Sequence, residues 1–159
     1  MKQTAPVLII FGQSNAHAHG GPLPPEECGL PPCTRVYALH RVPNQAFSPA
    51  PVVWAGYTSL GTNLGADAGE TACMPTYLAR MWEEEPDLPL LYLIRISIGA
   101  QGVTEKYMWY PDAPGRLIPG PHGTADISLF PLSCDVLRRA FGDLRARGLD
   151  PGVLGLRWL

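Results

Sequence analysis

Apolar positions fall into five short runs and two helical stripes along this chain. Val7-Leu8-Ile9-Ile10-Phe11 is unbroken and closes at Gly12, the pattern of a strand buried on both faces of a parallel sheet. Arg35 to His40 reads as a second strand and Val52-Val53-Trp54 as a short extended piece. Leu88 to Ile98 is the strongest strand pattern after the first and again stops at a glycine, Gly99. Val153 to Leu159 opens a further strand. The spacing predicts a helix over Gly69 to Glu85, with Ala72, Tyr77, Leu78, Met81 and Trp82 as its apolar stripe. Pro75 moves the first turn toward Met74, because proline is tolerated at a helix start, and Pro86 stops the last turn. A second helix, Leu132 to Arg147, carries Val136, Leu137, Ala140, Phe141 and Leu144 on one face and ends at Gly148.

Between these elements lie proline- and glycine-rich segments: Ala16 to Pro32, Pro43 to Pro51 and Pro111 to Asp126. The last is expected to be a long functional loop. Strands alternating with helices predict an α/β domain, a mainly parallel sheet flanked by helices in three layers. Such a sheet sets the segments after Phe11, Ile98 and Leu159 along one carboxyl edge, where open α/β sheets bind ligands.

Composition narrows the function classes. Of the 159 residues 16% are charged, below the usual roughly 25%, and the net charge is −2. With no basic stripe interleaved with aromatics, nucleic acid and anionic membranes are not expected partners. No run approaches the ~20 apolar residues that span a bilayer, and no secretory signal precedes the first strand, so a cytoplasmic location is expected. Cys28, Cys33, Cys73 and Cys134 are scattered without a second metal-type pair, and His17 and His19 lack a third ligand. No metal and no cofactor are expected.

The chemistry concentrates at Gly12-Gln13-Ser14-Asn15. It is neither a G-x-S-x-G elbow, since Ala16 replaces the second glycine, nor a P-loop, since no Gly-Lys-Ser/Thr follows. A serine at this strand end either caps a following helix or serves as a nucleophile. The block resembles the first block of the SGNH-type hydrolases, in the branch of sialate O-acetylesterase-like and acetyl-xylan-esterase-like domains, whose first block reads Gly-Gln-Ser-Asn. Ala68-Gly69-Glu70 is similar to the family's Gly-Pro-Glu segment. Ile96-Ser97-Ile98-Gly99-Ala100-Gln101-Gly102, followed by Trp109, is similar to its Gly-Gly-Thr turn before a tryptophan, with Ala100 between the glycines and no threonine. Val153 to Trp158 resembles the strand that leads into a third block, Gln-Gly-Glu-Ser-Asp.

The resemblance implies an SGNH/flavodoxin-like fold and a serine ester hydrolase that removes acetyl groups from small-molecule or polysaccharide esters. In that reading Ser14 is the nucleophile. The amides of Ser14 and of Gly99 or Gly102 form the oxyanion hole, and Gln13 and Asn15 position the site. The family's third block and its Asp-x-x-His stretch, which supplies the base, do not occur in this sequence. Residues 1–159 are therefore expected to form a single SGNH-hydrolase-like domain, truncated at its carboxyl-terminal end, with an exposed sheet edge that invites self-association. The rival expectation is a catalytically incomplete fragment, a carbohydrate-binding or structural remnant. Among other residues, His122 is the best in-chain candidate for an unusual base, and His40 is read as structural. Glu70 is read as a helix-start anion, and Tyr107, Trp109 and Tyr110 as either packing or a platform for a sugar ring.

Overall fold

A computed structural model describes residues 3–13, 16, 22–25, 28–40, 52–59, 62, 64, 73–99, 102–105, 107–112, 116–120 and 123–159, with the backbone alone for 116–120 and 123–127. Five strands form one sheet: β1 (Gln3–Gly12), β2 (Val36–Leu39), β3 (Trp54–Gly56), β4 (Leu91–Ser97) and β7 (Leu149–Trp158), in the order β3-β2-β4-β1-β7. Only β3 runs antiparallel to its neighbour, and β2, β4, β1 and β7 are parallel. Two helices, α1 (Met74–Glu83) and α2 (Leu129–Ala146), complete an α/β domain of the expected class.

The period-2 alternation of the central strands sorts their side chains onto two faces. Val7, Ile9 and Phe11 of β1 join Tyr92, Ile94 and Ile96 of β4 on one face, where Leu129, Val136, Ala140 and Leu144 of α2 cover them. Leu8 and Ile10 join Leu91 and Leu93 on the other, with Ala79 and the partly buried Met74, Leu78 and Trp82 of α1. Apolar residues occupy both parities because both faces are covered, which is why these strands read as unbroken runs.

Most elements differ from the sequence expectation only in extent. β1 and β7 reach further, and β4 is shorter at its amino end because Pro89 precedes it. Helix α1 starts at Met74 with Pro75 in its first turn. Two expectations are corrected. The segment over Pro111 to Asp126 is not a plain loop: β5 (Arg116–Gly120) and β6 (Gly123–Ile127) pair antiparallel within it, because the backbone groups of two short segments joined by Pro121-His122 satisfy each other. The stripe read for α1 is rotated. Tyr77 and Met81 are 43% and 69% exposed, whereas Pro75, Thr76 and Ala79 are buried, because the crowded sheet face admits small side chains.

Side-chain clasps fix the layers. The Glu83 carboxylate at the end of α1 accepts hydrogen bonds from Thr34 N (2.7 Å), Thr34 Oγ1 (2.6 Å) and Arg35 N (2.8 Å), tying α1 to the start of β2. Burial raises its pKa, but those donors and the Arg35 charge outweigh it and hold the carboxyl below its ordinary value. Trp54 Nε1 donates to Asp143 Oδ2 of α2 at 3.0 Å, and Asp143 also accepts from Arg147 at 2.7 Å. Beneath α1, Tyr57 Oη and Thr76 Oγ1 lie 2.9 Å apart, and Cys73 Sγ lies 3.2 Å from the same Thr76 oxygen. Among the described residues no helix is long and apolar enough to cross a membrane.

β7 is the outer strand beside β1, and its pairing contains one irregularity. Val7 faces Val153 but Leu8 faces Gly155, so Leu154 is an extra residue. Val153, Leu154, Leu156 and Trp158 are between 43% and 57% exposed along this edge.

Candidate functional site

The carboxyl ends of β1, β4 and β7 lie side by side. Gly12 is paired with Ser97 and Phe11 with Trp158, so the segments that follow Gly12, Ser97 and Trp158 emerge along one edge. The chain leaves β1 through Gly12 at φ +146°, a backbone conformation that L side chains rarely adopt. A Cβ at this position would sit 2.1 Å from the carbonyl oxygen of Leu159. Glycine is therefore required both for the conformation and for the close approach of the end of β7.

Four hydrogen bonds fix the residues on either side of Ser14 and Asn15 in the sequence. Gln13 N donates to Leu159 O at 3.0 Å, while Leu159 N donates to Phe11 O at 3.0 Å. Trp109 Nε1 donates to Gly12 O at 3.2 Å. Beyond the pair, Arg95 Nε donates to Ala16 O at 2.7 Å, and Ala16 is fully buried. The turn thus starts and finishes on anchors supplied by β7, by the segment after β4 and by β4 itself. Local sequence explains part of this. The apolar run must end at the sheet edge, and the glycine after it lets the backbone change direction where a β-branched residue would clash.

Gln13 is exposed just beyond Gly12. Gly99 follows Ile98 at the end of β4 and is partly buried, on the edge shared with Gly12. Gly102 lies three residues further on, and a Cβ there would meet the Tyr107 ring at 3.0 Å. Ser14, Asn15, Glu70, His17, His19 and His122 lie outside the described residues. His40 behaves as a structural residue, its Nε2 lying 3.2 Å from Gly56 O of the adjoining strand.

Of the two readings of Trp109, packing is the one the structure shows. The residue is 4% exposed and packs between Phe11 (ring centroids 5.1 Å apart) and Trp158 (5.0 Å, edge to face). Its indole fills the space under the strand ends and its N–H satisfies the Gly12 carbonyl, so it supports the edge from within. Tyr110, one residue on, remains partly exposed and borders a cavity of about 560 Å³ with Val103, Thr104 and Glu105. Among the described residues no group of three or more His, Cys, Asp or Glu side chains is arranged to hold a metal ion.

Two contributors escaped the sequence reading. Arg95 sits in the middle of an apolar strand yet is only 1% exposed. A lone cation in Leu-Tyr-Leu-Ile-Arg-Ile-Ser-Ile was a signal, because a buried charge needs a reason. The seat of Trp109 against Gly12 had no local signal, since the two are 97 positions apart.

No family model matches this sequence, and no curated protein matches it. A solved structure does: the crystal structure of NanS, at a TM-score of 0.59 and 20% sequence identity. The match covers 99% of this chain and 53% of the NanS chain, so the chain spans about half the length of that neighbour. At this level the likeness shows the fold alone: the chain shares the α/β architecture of that part of NanS.

Proposed function

We propose that this chain carries the nucleophile of a serine ester hydrolase that removes acetyl groups from carbohydrate hydroxyls. The observation that carries the reading is the anchored turn after β1. Gly12 and Gln13 before Ser14, and Ala16 after Asn15, are held by hydrogen bonds at the carboxyl edge of a parallel sheet, where Gly99 follows the neighbouring strand. The block's resemblance to the sialate O-acetylesterase-like branch and a fold shared with NanS, a sialate O-acetylesterase, support it.

In this mechanism the Ser14 hydroxyl attacks the acetyl carbonyl and a general base takes its proton. The tetrahedral oxyanion is met by the Ser14 amide and by that of Gly99 or Gly102. Each such donor is worth about 2.7–4 kcal/mol, the handful of kcal/mol by which one oxyanion-hole contact lowers a barrier. The sugar alkoxide leaves with a proton, and water then releases acetate from the acyl-enzyme. Gln13 and Asn15 position the turn. The ester itself, small-molecule or polysaccharide, enters from the carboxyl edge of the sheet. The reaction requires no cofactor. His122 is the in-chain candidate for the base.

A fluorophosphonate probe tests the nucleophile. A covalent adduct on the Ser14 peptide, lost in Ser14→Ala, is expected, and an unlabelled folded chain contradicts the reading. The rival reading is a fold that binds carbohydrate without turning it over. Rapid hydrolysis of p-nitrophenyl acetate, abolished by Ser14→Ala, separates the two. A faint residual rate does not, because sites lacking a triad member retain some catalysis.

A further inference from the structure

Arg95 is the charged side chain that the fold buries most completely among the described residues. It points to the face shared with Ile10 and Leu93, an apolar neighbourhood. Its Nε donates to Ala16 O at 2.7 Å, its Nη1 has no hydrogen-bond partner, and no carboxylate among the described residues pairs with it. Burying a guanidinium on these terms costs stability, and an apolar side chain of similar volume would serve packing better. Its one strong contact falls two residues after Ser14, on the far side of the turn from the Gly12 and Gln13 anchors. The other anchors come from the Leu159 backbone and the Trp109 indole.

We propose that Arg95 is the positioning residue of the segment that follows β1: it clamps the carbonyl of Ala16, two residues after Ser14 in the sequence. The proposal rests on the reading of Ser14 as nucleophile. Clamping lowers the cost of orienting the hydroxyl, an effect on the chemical step rather than on substrate binding.

The test compares the 159-residue chain with its Arg95→Leu and Arg95→Lys variants. Hydrogen exchange of the amides over residues 13–17 is measured beside those of β1. Labelling of Ser14 by a fluorophosphonate is resolved into a maximal rate and a half-saturating concentration, and thermal unfolding is followed in parallel. In Arg95→Leu we expect exchange over 13–17 to rise at least about tenfold while β1 stays protected. The maximal labelling rate should fall on the order of 10–100-fold at an unchanged half-saturating concentration. Arg95→Lys, which keeps a hydrogen-bond donor on a long side chain, should recover most of that rate. Unchanged exchange and labelling in Arg95→Leu overturn the proposal. So does loss of labelling that merely tracks loss of thermal stability in both variants. If the unsubstituted chain is not labelled at Ser14, the esterase reading fails, while the exchange comparison still decides whether Arg95 holds the turn.

Discussion

At Gly12 two demands meet in one residue, a positive φ and a carbonyl oxygen 2.1 Å from where a Cβ would stand. The obstacle is the backbone of Leu159, which cannot swing aside as a side-chain tip does. Gly12→Ala should therefore destabilise the chain by about 2–4 kcal/mol, since backbone strain and overpacking each contribute about 1–3 kcal/mol. The shift of a urea unfolding midpoint at constant slope checks it. Tyr57 gives a residue-level prediction in pH. Burial, followed by the nearby Cys73, pushes its phenol up to about 12, against weaker opposing help from Thr76, Arg95 and Thr62. A raised folded-state pKa means the contribution is complete below the unfolded value near 10 and is lost as pH climbs toward about 12. Tyr57→Phe should remove that alkaline loss. At neutral pH it should cost about 1 kcal/mol for the Thr76 hydrogen bond. Unfolding curves of both proteins at pH 8 and above pH 10 provide the measurement.

At the level of elements, legibility followed how local the cause was. β1, β4 and α2 were readable because their apolar spacing reports directly on a face that must be covered. The start of α1 was readable from Pro75, whose fixed φ suits a first turn. Which face α1 would bury was not, because the sheet surface beneath it selects Ala79 and Thr76 over the larger Tyr77 and Met81. The β5–β6 pairing escaped for the opposite reason: Pro119 and Gly120 argue against a strand, and only pairing across two central residues makes one. At the candidate site, the glycine and the edge position were visible in Gly12-Gln13-Ser14-Asn15. The anchors were not. Trp109, Leu159 and Arg95 reach the turn from 79 or more positions away through tertiary packing.

For the molecule as a whole, the asymmetry of the sheet matters most. One flank is closed by the short antiparallel β3. The other presents β7, with Val153, Leu154, Leu156 and Trp158 each more than two-fifths exposed. An outer strand of this length and polarity is a template for another strand. We propose that it drives the chain to self-associate. Light scattering or sedimentation should reveal mass rising with concentration, and Leu156→Lys should shift the equilibrium toward monomer by roughly tenfold or more, since a charge on an edge opposes pairing. A chain that stays monomeric at high concentration would count against it.

The surplus Leu154 divides β7 into two rulers laid end to end with a one-notch offset. In a regular ladder begun at Val153, Arg157 would stand opposite Phe11; the offset brings Trp158 there instead. Excising Leu154 would straighten the strand yet leave every downstream partner in place, so the indole would still reach Trp109 and Leu159 would still grip Gln13. Excising both Leu154 and Leu156 would exhaust the surplus, slide the last residues out of step, turn the indole to the wrong side and take Leu159 away from Gln13. A single and a double deletion in one strand should thus have opposite fates.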